Sequence, residues 1–135
     1  MTTEAVRIAD QLHRSYAGPA WHGPSLSELL AGVTETQASR RPIDGSHNIW
    51  ELVLHIAAWL RIARDRLSAE SVRIIAPEED WPPVAGTWVD ALAELDRDVQ
   101  ALEAAEPQSF YGLLHGVVQH NLYHAGQIAL LKKMP

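Results

Sequence analysis

Cysteine is missing from all 135 residues, and that one absence removes disulfides, a thiolate nucleophile and cysteine-ligated zinc together. A metal site in this chain has to use histidine and carboxylate. Runs of one charge are missing too. Beyond Arg40-Arg41 and Lys132-Lys133 no basic cluster occurs, and 17 acidic against 11 basic residues leave a net charge of −6, which is not the footprint of a nucleic-acid binder. No segment reaches the length of a membrane span. The opening "MTTEAVRIADQLH" carries Glu4, Arg7 and Asp10 where a signal peptide has an apolar core, so the cytoplasm is the expected location. No internal repeat and no low-complexity tract occurs, and the only β-like stretch is the short "SVRII" from Ser71 to Ile75.

What is present is enough for one core. At 47% hydrophobic and 21% charged, residues 1–135 fit a single globular domain. Helical periodicity runs from about Thr3 to Tyr16, with Val6, Ala9 and Leu12 or His13 on one side, until "AGPAWHGP" stops it. Ser25 and Glu28 have the form of a capping box opening a short helix that ends near Gly32. Asn48 and Glu51 form a second possible cap, for a helix reaching about Leu67. Thr87 caps a third long helix, with Trp88, Ala91, Leu92, Leu95, Val99 and Leu102 at helical spacing and Pro107 as its stop. The fourth runs roughly from Ser109 to Lys133, its two terminal lysines complementing the helix dipole. The fold class is therefore all-α. The long connector before the third long helix suits a crossover, so an up-down-down-up four-helix bundle is expected.

The fourth helix contains "GVVQHNLYHAGQIALLKK", two histidines inside an apolar stretch. At about 100° per residue, His120 and His124 share a stripe with Leu113, Val117, Ile128 and Leu131. On the second long helix His55 shares a stripe with Glu51, Trp59 and Ile62. Buried imidazoles need hydrogen-bond partners or a metal. Two from an i, i+4 pair and one from a facing helix can hold one side of a metal and leave its other positions open, as catalytic zinc sites do; nickel, iron or manganese are accommodated too. Satisfied core histidines are the plainer alternative. The metalloprotease motif H-E-x-x-H is absent, since Asn121 follows His120. Glu51 is the one carboxylate the pattern places beside the candidate ligands, either as a general base or simply as a cap residue. His115 lies about 140° off the stripe and is excluded. His13, His22 and His47 sit at helix edges or in loops, with His22 the first candidate to reach the pocket. Trp21, Trp59 and Trp81 are candidates to line an apolar cavity, and Tyr123 to donate a hydrogen bond near the metal.

Four blocks, "WHGPSLSELLAGVTETQASRRPIDGSHNIWELVLHIAAW", "DWPPV", "LLHGVVQH" and "YHAGQIALLKK", together resemble the DinB-like (DinB/YfiT) superfamily over most of the chain. The resemblance implies an up-down-down-up four-helix bundle, frequently dimeric, whose three histidines bind a divalent metal; by position these are His55, His120 and His124. It also implies several chemistries. Some members are metal-dependent hydrolases, others thiol S-transferases using bacillithiol or mycothiol, another a mycothiol-dependent maleylpyruvate isomerase, and many have no known activity, so fold does not settle function.

Two functional readings follow. One is a zinc or nickel enzyme, a thiol S-transferase or hydrolase, taking a small-molecule substrate and a low-molecular-weight thiol, with Glu51 accepting a proton and Gln127 orienting the pocket. The other is a noncatalytic metal-binding or stress-response interaction module. A second apolar arc on the fourth helix, Leu114, Val118, Leu122, Ala125 and Ala129, leads either to a homodimer contact or to a second neighbour within the bundle.

Overall fold

The computed structural model describes residues 3–68, 73–105 and 111–135. They form seven helices and no strand among the described residues. α1 (Glu4–Ala17) starts at Thr3, whose side chain accepts from the Val6 amide, and buries Ile8 and Leu12. α2 (Leu26–Leu30) has the foreseen capping box: Glu28 accepts from the Ser25 amide at 2.6 Å. α3 (Glu35–Ser39) was not foreseen, because a five-residue helix has no readable period. Thr34 caps it, and its Glu35 carboxylate accepts from the Trp88 amide at 3.2 Å, so the helix is fixed by a tertiary contact with a residue 53 positions away.

α4 (Ile49–Ser68) opens on the reciprocal Asn48–Glu51 cap, at 2.8 and 2.9 Å. α5 (Pro77–Asp80) is four residues long and packs on α4. α6 (Trp88–Glu103) is capped by Thr87, with Asp90 answering as the box residue. α7 (Tyr111–Lys133) ends on Lys132 and Lys133, and Lys132 donates back to the Leu29 carbonyl at 2.6 Å. Of the β-like stretch, Ser71 and Val72 lie outside the described residues, and Arg73 to Ile75 have no regular structure. The stop at Pro107 and the start at Ser109 also lie outside them.

α4 packs against α6 and α7, and α1 packs against the same two from the other side. Leu26, Ile49, Ile56, Leu60, Leu95 and Ile128 are sealed between them, each removing apolar surface worth roughly 1.5–3 kcal/mol. At the start of both helices Trp50 of α4 meets Trp88 of α6 edge-on at 5.8 Å. Further along, Arg61 donates to Glu94 and Asp98. Between α1 and α6, His13 pairs with Glu103 and Tyr16 donates to Asp96. Of the second arc on α7, Leu114 and Ala125 are buried within the chain, where α1 and α2 pack, while Val118, Leu122 and Ala129 stay half-buried. No helix of the described residues is long and apolar enough to cross a membrane.

Candidate metal centre

Burial on α4 and α7 brings three imidazoles to one point. His55 is 5% exposed and His124 6%, and His120 between them is half-buried. Nε2 of His120 lies 3.0 Å from Nε2 of His55 and 3.1 Å from Nε2 of His124. One ligand atom from each of the three lies within 4.8 Å of the others, a group able to hold one metal ion.

The opposite side of two rings explains their orientation. His55 Nδ1 is 2.6 Å from the Asp80 carbonyl oxygen, and His124 Nδ1 is 2.6 Å from Gln127 Oε1. Those oxygens only accept, so each Nδ1 carries the proton and each Nε2 presents a lone pair inward, the tautomer that metal-ligating histidines adopt. Burial depresses the basicity of all three. His120 is pushed down to about 4, first by burial and then by the neighbouring His124 and His55. His55 is lowered by burial against the pull of Asp80, and His124 by burial against the Gln127 hydrogen bond. The three therefore face one another neutral at pH 7.

This donor set fits a divalent metal. Nitrogens bound at about 2.0–2.1 Å around a tetrahedral centre sit about 3.3 Å apart, a few tenths of an ångström beyond the 3.0 and 3.1 Å that separate His120 Nε2 from the other two. Lone pairs converging at this distance repel each other unless a proton or a cation lies between them.

Beside the Nε2 cluster opens a cavity of about 540 Å³, walled by Trp59, Trp81, Leu113, Val117 and Tyr123, with Asp80 as its carboxylate. Trp59 Nε1 donates to Asp80 Oδ1 at 2.8 Å, and Trp81 stacks on His55 with centroids 3.8 Å apart. The segment Asp80-Trp81 thus covers one metal-ligand candidate with a carbonyl, a carboxylate and an indole. Tyr123 is exposed at the rim, its ring 5.1 Å from that of His124.

Several expectations are corrected. Glu51 is not in this cavity: one oxygen takes the Arg41 guanidinium, the other the Asn48 amide and His47, so its carboxylate is spent on the α4 cap. His22 and Trp21 do not reach the cavity either; they border a separate cleft with Asp10, Arg14, Val118 and Leu122, where Trp21 is fully exposed. The proline-glycine segment that stops α1 carries both to the α1 side of the bundle. His115, excluded as a ligand on sequence grounds, is not part of the three-histidine group and has its Nε2 3.9 Å from Glu4. The residue missed from sequence is Asp80. It stands 25 positions from His55, and no periodicity relates a loop carbonyl to a helix; the neighbouring tryptophan in "DWPPV" was the one available signal.

Neither a curated protein nor a solved structure matches the chain. The family model of the DinB superfamily does, over residues 20–128, a span that takes in all three histidines, Asp80 and Gln127. With that match over most of its length, the chain belongs to the DinB superfamily.

Proposed function

We propose that this single-domain protein is a divalent-metal enzyme acting in the cytoplasm on a small molecule, as a thiol S-transferase or a hydrolase. One observation carries the reading: three neutral imidazoles present Nε2 to one point on the wall of a cavity large enough for a small ligand. His55, His120 and His124 hold the metal, zinc or nickel first, with iron or manganese accommodated. When bound, such a metal supplies a Lewis acid that lets water or a thiol lose its proton near neutral pH.

The chain's own residues do the rest. Asp80 and Gln127 fix the ring orientations of His55 and His124. Trp59 and Trp81 exclude water and pack the apolar part of a substrate. In place of Glu51, the Asp80 carboxylate holds the displaced proton, since it is the acid lining the cavity. A noncatalytic metal-binding or stress-response module is the second reading, favoured by the engagement of that carboxylate with Trp59 and its closeness to His55, 3.4 Å from Nδ1.

The proposal includes an up-down-down-up order for the four long helices. It is supported by the Trp50–Trp88 and Arg61–Asp98 contacts, whose positions advance together along α4 and α6, and by His13–Glu103 with Tyr16–Asp96, whose positions advance along α1 as they fall back along α6. It includes a homodimer, supported by the half-buried Val118 and Leu122 beside exposed Trp21. A light-scattering mass near the 15.0 kDa of one chain would reject the dimer. Consumption of low-molecular-weight thiols and model electrophiles by the zinc- or nickel-loaded protein tests the enzyme. Turnover lost in Asp80→Asn supports it, and absence of turnover across thiols, esters and amides leaves the binding module.

A further inference from the structure

Asn121 is 1% exposed, and neither its Oδ1 nor its Nδ2 has a hydrogen-bond partner. A buried carboxamide empty at both ends carries a desolvation cost with no return, and native proteins rarely leave one without a reason. One residue earlier, His120 Nδ1 is also buried and unpartnered. The other two imidazoles each have an acceptor behind the ring, Asp80 for His55 and Gln127 for His124. The Asn121 amide lies close enough to favour protonation of His120, yet a hydrogen bond is not completed.

The proton positions give this arrangement a meaning. His55 and His124 carry their protons on Nδ1, so both direct lone pairs at His120 Nε2, 3.0 and 3.1 Å away. Without a metal, the neutral His120 ring keeps its proton on Nε2, donating to one of them, and Nδ1 is a bare acceptor. With a metal on Nε2, the same neutral ring carries its proton on Nδ1 and needs an acceptor there. Asparagine serves both tautomers, its Nδ2 donating to the bare Nδ1 and its Oδ1 accepting from Nδ1–H after the amide turns over. Aspartate would serve only the second, and an apolar residue neither.

We propose that Asn121 is the positioning residue of the third histidine, a two-way partner whose carboxamide turns over as His120 changes tautomer. This rests on the reading that the triad holds a metal. The test compares zinc affinity and metal-free stability in the full chain for wild type, Asn121→Leu and Asn121→Asp, with nitrogen-15 NMR of the His120 ring. Wild type is expected to move the ring proton from Nε2 to a hydrogen-bonded Nδ1 on zinc addition. Asn121→Leu is expected to lose about 10–100-fold in zinc affinity, the usual worth of an outer partner, and some metal-free stability as well, because the bare His120 Nδ1 then has no donor. Asn121→Asp, which keeps the acceptor, is expected to restore that affinity. A packing role alone would produce destabilisation with unchanged affinity. The inference is overturned if Asn121→Leu binds zinc within about threefold of wild type, or if the His120 tautomer does not change. Should that variant fail to fold, Asn121→Ala is read by the same criteria. Failure of the underlying reading is separately visible as His120→Ala retaining wild-type zinc content.

Discussion

Two histidines of this protein lie against the same indole and differ in almost everything else. The rings of His47 and His55 are both within 6° of parallel to Trp81, at 3.5 and 3.8 Å, too close and too well aligned to share one face. His47 is exposed at the start of α4, its Nδ1 against Glu51 in a cluster with Arg41. His55, two turns deeper, is buried, and its Nδ1 is held by a backbone carbonyl. The first belongs to a solvated ion cluster that caps a helix. The second belongs to a set of neutral donors aimed at one point. What separates them is burial and the partner of Nδ1, since a carboxylate lies near each.

The comparison breaks most sharply if a ligand is deleted on the buried side. His120→Ala is expected to lower metal affinity by more than the about 100-fold worth of an outer partner, while His115→Ala leaves metal content at the wild-type level; elemental analysis and competition with a chelator check both. Gln127→Leu, which frees His124 Nδ1, is expected to cost about 10–100-fold in metal affinity by the same titration.

Acid should separate the clusters next. Burial depresses His55, His120 and His124 in the folded state, His120 to about 4, while in the unfolded chain they titrate at about 6.5. The unfolded state therefore binds more protons below that value, so the triad's stability is fully present above pH 6.5 and is lost as pH falls toward 4. Urea unfolding of the metal-free protein should show a loss of ~2 kcal/mol from His120 over that window, after discounting for the partial exposure of the ring. The Glu51 carboxyl is lowered as well, but it stays charged where the imidazoles stay neutral: burial opposes its ionisation, yet Arg41 and the Asn48 amide hold it below the usual carboxylate range, so the cap is lost only at lower pH than the triad. Glu51→Ala is expected to cost about 1 kcal/mol in thermal unfolding with metal affinity unchanged, and a loss of affinity would restore Glu51 to the site. Smallest of all, His47→Ala should change metal affinity by less than about threefold, because the Trp81 indole stacks between its ring and that of His55.

Much of this was legible in the residues. Ser25–Glu28, Asn48–Glu51 and Thr87 all cap helices where the sequence placed them, because caps depend on neighbours three residues apart. The stripe of His120 and His124 was equally local. The sequence by itself determined the long helices, their apolar faces and the exclusion of thiolate chemistry, since each follows from periodicity or from a missing residue type. Only the tertiary structure decided that Glu51 serves the cap, that His22 and Trp21 border another cleft, and that Asp80 and Trp81 close over His55. Those outcomes depend on where a connector returns across a helix and on which nitrogen finds an acceptor, and no spacing along the chain encodes either.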